Sequence, residues 1–274
     1  MSARLYTAIV LAAQRQGVVN PIAEKHNISH KCLVKINGIS MLERVVRTTL
    51  SAKNVGSLTI VIEDREIALS LPGIRSLFDE GKIEFAKSEA SLSDSIVSAI
   101  EQIGEDRYPF FFTTADNCLH NSVIIDHFLD TVSADNADAA FGMTPDELVQ
   151  QTYPGTGKIT GQHKLWDGTW SNCNIYALCS PRSKTAAELF RKGGQLGNKK
   201  KRRAVIPMFG IYSFILYRFG WITFDGIAKR AAKALGINVS SVRMPFADAP
   251  IDADDDVSFN FIEDRLRERE NKAA

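Results

Sequence analysis

The chain alternates between short, uninterrupted apolar runs and longer stretches where apolar residues recur every three or four positions. Residues 7–12 (TAIVLA) form a continuous apolar run with β-branched members, the pattern of a strand buried on both faces, as in a parallel sheet. Residues 58–62 and 108–114 (YPFFFTT) read the same way, with Phe110, Phe111 and Phe112 as core. Between these runs, Leu42, Val45, Val46 and Leu50 lie at helical spacing and predict a helix over residues 41–52. Ile96, Val97, Ile100 and Ile103 predict another, with Ser93 as its cap. Residues 66–78, broken at Pro72 and Gly73, and residues 120–132 also read as helical. Residues 82–86 and 137–143 read as strands, and residues 13–31 as one long polar loop. This alternation predicts an α/β fold, with a mostly parallel sheet and helices on both faces.

Beyond residue 143 the rhythm changes. Residues 151–171 are rich in Gly, Thr and Trp and predict a hairpin or insertion. Strands are expected over 174–178 and 239–244, helices over 182–192 and 224–235, and a charged amphipathic helix over 254–270. In between lies a basic run, Lys199, Lys200, Lys201, Arg202 and Arg203. Aromatics follow at Phe209, Tyr212, Phe214, Tyr217, Phe219, Trp221 and Phe224. Residues 199–236 thus read as a helical flap or subdomain. A packed helix, an acceptor-side flap and a peripheral membrane contact are ranked in that order. The 274 residues are assigned to a single domain with a helical C-terminal part.

Charge narrows the function classes. With 33 Lys plus Arg against 32 Asp plus Glu, the net charge of +1 gives no global field for capturing nucleic acid. Cys32, Cys118, Cys173 and Cys179 form no C-x-x-C pair and read as reduced thiols. His26, His120, His127 and His163 have no partner at metal-ligand spacing and are assigned surface or loop roles. The 204–224 stretch is interrupted by Pro207, Gly210, Arg218 and Gly220, so no transmembrane segment is expected and the localisation predicted is cytoplasmic. A homo-oligomer stays open.

Two features fall where open α/β sheets bind ligands, beyond the carboxyl ends of strands: the loop after residue 12, and Asp116 after the Phe-rich strand. The loop's backbone N–H groups can meet phosphate oxygens, and Arg15 and Lys31 can add charge-assisted bonds. It is not a Walker loop, because G-x-x-x-x-G-K-[ST] is absent. AIVLAAQRQG followed by SHKCLVKINGISMLERVV resembles the opening of the MobA-like nucleotidyltransferases. FFFTTADN is similar to their mid-chain strand ending in a metal-binding Asp, SNCNIYAL to their substrate-side strand, and PIDADDDVSFNFIEDRL to their closing D-x-D segment.

The resemblance implies a Rossmann-like, GT-A-like fold. It also implies Mg²⁺-dependent transfer of a nucleotidyl group from an NTP to a phosphorylated small-molecule acceptor, releasing pyrophosphate. It places Leu11, Ala12, Ala13, Gln14, Ser93 and Asp116 at the nucleotide. Lys31 and Arg15 fall on the triphosphate, and Asp116 and Asp252 on the metal, with Asp254 as a substitute or supporting carboxylate. The sequence departs from the family where Gln14 replaces a Gly that lets backbone approach the phosphates, and where His30 replaces a Pro. Two other readings stay open: a glycosyltransferase of the same fold class using a sugar nucleotide, and a non-catalytic nucleotide-binding module.

Overall fold

The computed structural model describes residues 5–14, 20–187 and 216–273. Strand β1 (Tyr6–Leu11) runs through the centre of an eight-stranded sheet. On one side it pairs in parallel with β4 (Val55–Ile62), which pairs with β5 (Glu84–Lys87). On the other it pairs in parallel with β6 (Phe110–Thr114). The path then continues through β9 (Gly168–Leu178), β7 (Ala139–Pro145) and β10 (Val239–Arg243). β9 alone runs against its neighbours, antiparallel to β6, β7 and the short β8 (Gln162–Leu165). The expected mostly parallel sheet is present, and the sequence-predicted hairpin is the β8–β9 pair.

Alternation along the central strands builds two apolar layers. Ala8 and Val10 of β1, with Phe111 of β6, face one side, packed by α2 (Met41–Leu50), α6 (Ser122–Ala134) and α9 (Asp256–Ala273). Ile9 faces the other side with Phe110 and Phe112, covered by Val97 and Ile100 of α5 (Leu92–Ile103). A strand buried on both faces therefore reads as an unbroken apolar run. A third, smaller cluster joins Met143, Leu165, Trp170, Ile222 and Phe224. There Trp170 stacks on Phe224 of α8 (Phe224–Leu235), with centroids 4.2 Å apart. Trp170 is thus a packing residue, whereas Trp166 is 73% exposed.

Four expectations are corrected. Residues 13–31 are not all loop: α1 (Pro21–Lys25) forms there, capped by Asn20, whose Oδ1 accepts from Ile22 N and Ala23 N. Pro21 at its first position suits a helix start. α5 is capped by Ser91, not Ser93; the Ser91 Oγ accepts from Asp94 N at 3.1 Å, and Ser93 is buried in the first turn. His120 is a core residue, 3% exposed, with Nε2 2.9 Å from Ala249 O. The last helix begins at Asp256 rather than at residue 254. The segment 66–78 is two helices, α3 (Arg65–Leu69) and α4 (Pro72–Asp79), parted where Pro72 predicted. β2 (Lys35–Ile36) and β3 (Ile39–Ser40) form a hairpin whose turn residues, Asn37 and Gly38, have φ of 50° and 81°. Arg15, the basic run at 199–203, Phe209, Tyr212 and Phe214 lie outside the described residues. Among the described residues, no helix is long and apolar enough to cross a membrane.

Candidate active site

The carboxyl ends of β1, β4 and β6 lie side by side, and the loops leaving them carry the polar chemistry. Asp116 follows β6 directly. Its Oδ1 accepts from Thr114 Oγ1 at 2.5 Å, and its Oδ2 accepts from Lys31 Nζ at 2.6 Å. Lys31 opens a short 3₁₀ turn after α1 and also donates to Asp254 Oδ1 at 3.0 Å. A single ammonium thus bridges two carboxylates that lie 138 positions apart in sequence (254 − 116).

The acidic residues on the C-terminal side reach the site through an extended segment with alternating burial. Ile251 and Ala253 are fully buried, which turns Asp252 and Asp254 the other way. Ala253 N donates to Asp116 O at 3.3 Å, stitching this segment to the end of β6. Upstream, Asp248 anchors it by accepting from the Tyr153 hydroxyl and the Arg269 guanidinium. Arg269 also donates to Leu119 O at 3.0 Å, so α9 clamps the segment against the loop after β6. The outcome is a trio, Asp116, Asp252 and Asp254, with one carboxylate oxygen of each within 4.8 Å of the others.

A distortion in β9 supplies another group. Phe141 pairs with Tyr176, yet Met143 pairs with Asn172, so β9 carries extra residues between these points. Asn174 sits in this bulge at φ 52° and donates from Nδ2 to Asp252 Oδ2 at 2.8 Å. Asn is among the few non-Gly residues that accept left-handed backbone readily. Asn172 supports it, donating from Nδ2 to Asn174 Oδ1 at 2.9 Å. The opposing strand makes room with Gly142, where a Cβ would lie 2.8 Å from Ile175 Cγ1.

Electrostatics separates the three carboxylates. Burial would push Asp116 upward, but the Lys31 ammonium and the bonds from Lys31 and Thr114 outweigh it, holding Asp116 below the usual carboxylate range. Burial would likewise lower Lys31, but Asp116 and Asp254 hold its pKa above the usual lysine value. Asp252 is pushed up to about 7, first by burial and then by the charges of Asp116 and Asp254. The trio therefore carries more negative charge than Lys31 balances. Its donors are hard oxygens, the ligand type of Mg²⁺, so these residues fit that ion.

On the other side of β1, Ala12 N is tied to Val61 O at 3.0 Å, and Gln14 N donates to Glu63 Oε1 at 2.5 Å. Ala12 is buried, Ala13 is exposed and Leu11 is half-buried against the second apolar layer. Sequence reasoning thus reached Lys31, Asp116, Asp252 and Asp254, which the fold brings together. It missed Asn174, which bonds to Asp252, and the bond that joins Gln14 to Glu63. Glu63 follows a buried strand at the ligand-binding end, the same signal that singled out Asp116.

Solved structures share this architecture over nearly the whole chain. A hypothetical transferase from Thermus thermophilus matches with a TM-score of 0.67 at 20% identity, covering 93% of this chain and 99% of its own. 4-Diphosphocytidyl-2C-methyl-D-erythritol synthase from Anaerococcus prevotii matches with a TM-score of 0.58 at 11% identity, covering 97% of each chain. CMP:2-keto-3-deoxy-manno-octonic acid synthetase, solved with CTP, also gives 0.58 at 11% identity, covering 96% of this chain and 99% of its own. At these identities the likeness is one of fold, the GT-A-like arrangement. No curated protein matches the sequence. The family model of the MobA-like NTP transferase domain matches residues 9–199, well over half of the chain, and the chain belongs to that family.

Proposed function

We propose that the protein transfers a nucleotidyl group from an NTP to a phosphorylated small-molecule acceptor, with Mg²⁺ and with release of pyrophosphate. The observation that carries this reading is the convergence of Lys31 with Asp116, Asp252 and Asp254 at the carboxyl ends of the parallel strands. Family membership supports the NTP as donor. In the proposed reaction an acceptor phosphate oxygen forms a bond to the α-phosphorus. The bond from that phosphorus to the α–β bridging oxygen breaks, and its electron pair leaves with pyrophosphate.

Such chemistry needs positioning and charge neutralisation more than a strong base. On this reading Asp116 and Asp252 hold Mg²⁺, with Asp254 beside them. When bound, the ion would neutralise phosphate charge and orient the triphosphate. Lys31 keeps its proton at neutral pH, since its partners hold its pKa up, and so offers a permanent positive charge to the triphosphate. Asn174 fixes the Asp252 carboxylate, and the clamp from Arg269 to Asp248 keeps the acidic segment in place.

The test is pyrophosphate release measured across the four common NTPs with a panel of sugar, alcohol and cofactor-precursor phosphates, with Mg²⁺ and with EDTA. The expected result is release that needs one NTP class, an acceptor and Mg²⁺ together. Absence of release with every pair, alongside turnover of UDP- or GDP-sugars, would overturn the reading in favour of glycosyl transfer.

A further inference from the structure

The aromatic segment ahead of α8 divides by burial. Ile222 and Phe224 turn inward, to the small cluster with Met143, Leu165 and Trp170. Phe219 and Trp221 turn outward, 61% and 58% exposed, with their rings stacked 5.2 Å apart. The turn between β8 and β9 brings a third ring to the same backbone: the exposed Trp166 donates from its N to Ile222 O at 3.0 Å. Two more bonds hold the shape, from Trp221 N to Leu216 O at 2.7 Å and from Gly220 N to Tyr217 O at 3.1 Å. Gly220 has a φ of 69°, and a Cβ there would stand 3.1 Å from Lys164 O, so the two turns meet backbone to backbone. Among the described residues, every exposed Trp or Phe lies in or beside these two turns.

Large apolar side chains held together in water mark an interaction site, and the charges around these ones point to the partner. Arg218, beside Phe219, and Lys164, two positions before Trp166, are both exposed, and α8 adds the exposed Lys229 and Lys233. The two acids of residues 162–168 and 216–235 are engaged within the chain. Asp167 accepts from Phe224 N at 3.0 Å, and Asp225 accepts from Ser241 Oγ and from Arg243, each at 3.0 Å. A second copy would set these cations against their own kind. An anionic bilayer offers the opposite charge, and its headgroup layer is where indole rings settle with Lys and Arg beside them. We propose that Trp166, Phe219 and Trp221, with Lys164 and Arg218, form a docking surface for an anionic lipid bilayer. The rings enter the headgroup layer from two adjoining turns, and the basic side chains meet lipid phosphates. This surface stands apart from the acidic trio and does not depend on the nucleotidyl-transfer reading.

Vesicles of phosphatidylcholine, with and without phosphatidylserine, test this by co-sedimentation of the full chain. The wild type is expected to bind the phosphatidylserine vesicles about tenfold or more tighter, and added salt should erode the difference. The triple variant Trp166→Ala/Phe219→Ala/Trp221→Ala should lose about tenfold or more of that binding. Lys164→Gln/Arg218→Gln should lose most of the preference for phosphatidylserine. Thermal unfolding confirms that each variant is folded. Equal or absent wild-type binding to the two kinds of vesicle overturns the inference without recourse to any variant. Binding that survives the triple substitution in full overturns it as well. Sedimentation equilibrium without lipid checks a rival occupant: a wild-type oligomer that the triple substitution dissociates overturns the inference and assigns the patch to a second copy. In Trp170→Phe, Trp fluorescence comes from Trp166 and Trp221 alone. Iodide should quench it in the lipid-free protein; failure to quench overturns the inference, because the chain itself then covers these rings.

Discussion

Lys31 holds two carboxylates at once, and this sets its two measurable roles. On the proposed reading, Lys31→Ala removes a charge at the triphosphate and is expected to lower turnover by about 10²–10³-fold. As the cation that occupies the acidic trio, its loss should also tighten Mg²⁺ binding in the absence of nucleotide, which calorimetry reads independently of activity. Asp252 behaves differently because the bond it accepts comes from the neutral amide of Asn174. Its folded pKa is raised to about 7, first by burial and then by Asp116 and Asp254, above an unfolded value of about 3.9. A raised folded pKa means that the folded state binds the extra proton. Stability from Asp252 is therefore fully present below about pH 4 and lost as pH rises through 7. Asp252→Asn keeps the acceptor for Asn174 and removes the charge. The metal-free variant should thus melt several degrees above wild type at pH 8 and close to it at pH 4; equal melting temperatures at pH 8 would contradict the account. Saturating Mg²⁺ should narrow the pH 8 gap by stabilising wild type. Asp116 and Lys31 were legible in the sequence because each sits beside a recognisable strand or loop. Asn174 was not, because its role depends on a bulge, and a bulge is set by how two strands pair rather than by either alone.

At the level of elements, the site depends on β7 and β9 fitting closely where they are out of step. Gly142 is a point of close approach, with Ile175 Cγ1 2.8 Å and Met244 Cγ 3.3 Å from where a Cβ would stand. Gly142→Ala is expected to destabilise the fold by about 1–3 kcal/mol by overpacking. It should also weaken Mg²⁺ binding, because the bulge carries Asn174; urea unfolding and metal titration check the two effects separately. The clamp on the acidic segment predicts an effect on the metal. Arg269→Ala removes the bond to Asp248 and the bond to Leu119 O. It should raise the Mg²⁺ concentration needed for half-maximal turnover, which metal titration of the activity reads. The strands of the sheet and helices α2 and α8 were readable because each has its own periodicity. The error at α5 arose because Ser91 and Ser93 both suit a cap by residue type, and only the backbone at Ser91, extended at φ −127° and ψ 155°, decides between them. The short α1 was missed because five residues offer too few turns for an apolar period to show.

Across the whole molecule, the reversal of direction at β9 divides the sheet into two halves, with parallel strands carrying Lys31, Glu63 and Asp116 on one side of it. The first half reads clearly from sequence because strands and helices alternate there, and each apolar run stands alone. The second half mixes an antiparallel hairpin with an aromatic cluster, which gives a weaker pattern. His120 was misassigned to the surface for a related reason: its partner, Ala249 O, lies 129 positions away in sequence. The bond from Lys31 to Asp254 spans 223 positions. During synthesis on the ribosome, the loop that carries Lys31 and the end of β6 emerge long before the segment that completes the acidic trio. A nascent chain released before residue 252 contains the residues of β1, β4 and β6 but only one of the three carboxylates. Chains ended at residue 245 are accordingly expected to show no Mg²⁺-dependent stabilisation in thermal unfolding, even where their circular dichroism retains α/β character. On the proposed reading, a prematurely terminated copy would consume amino acids but could not go on to consume nucleotides.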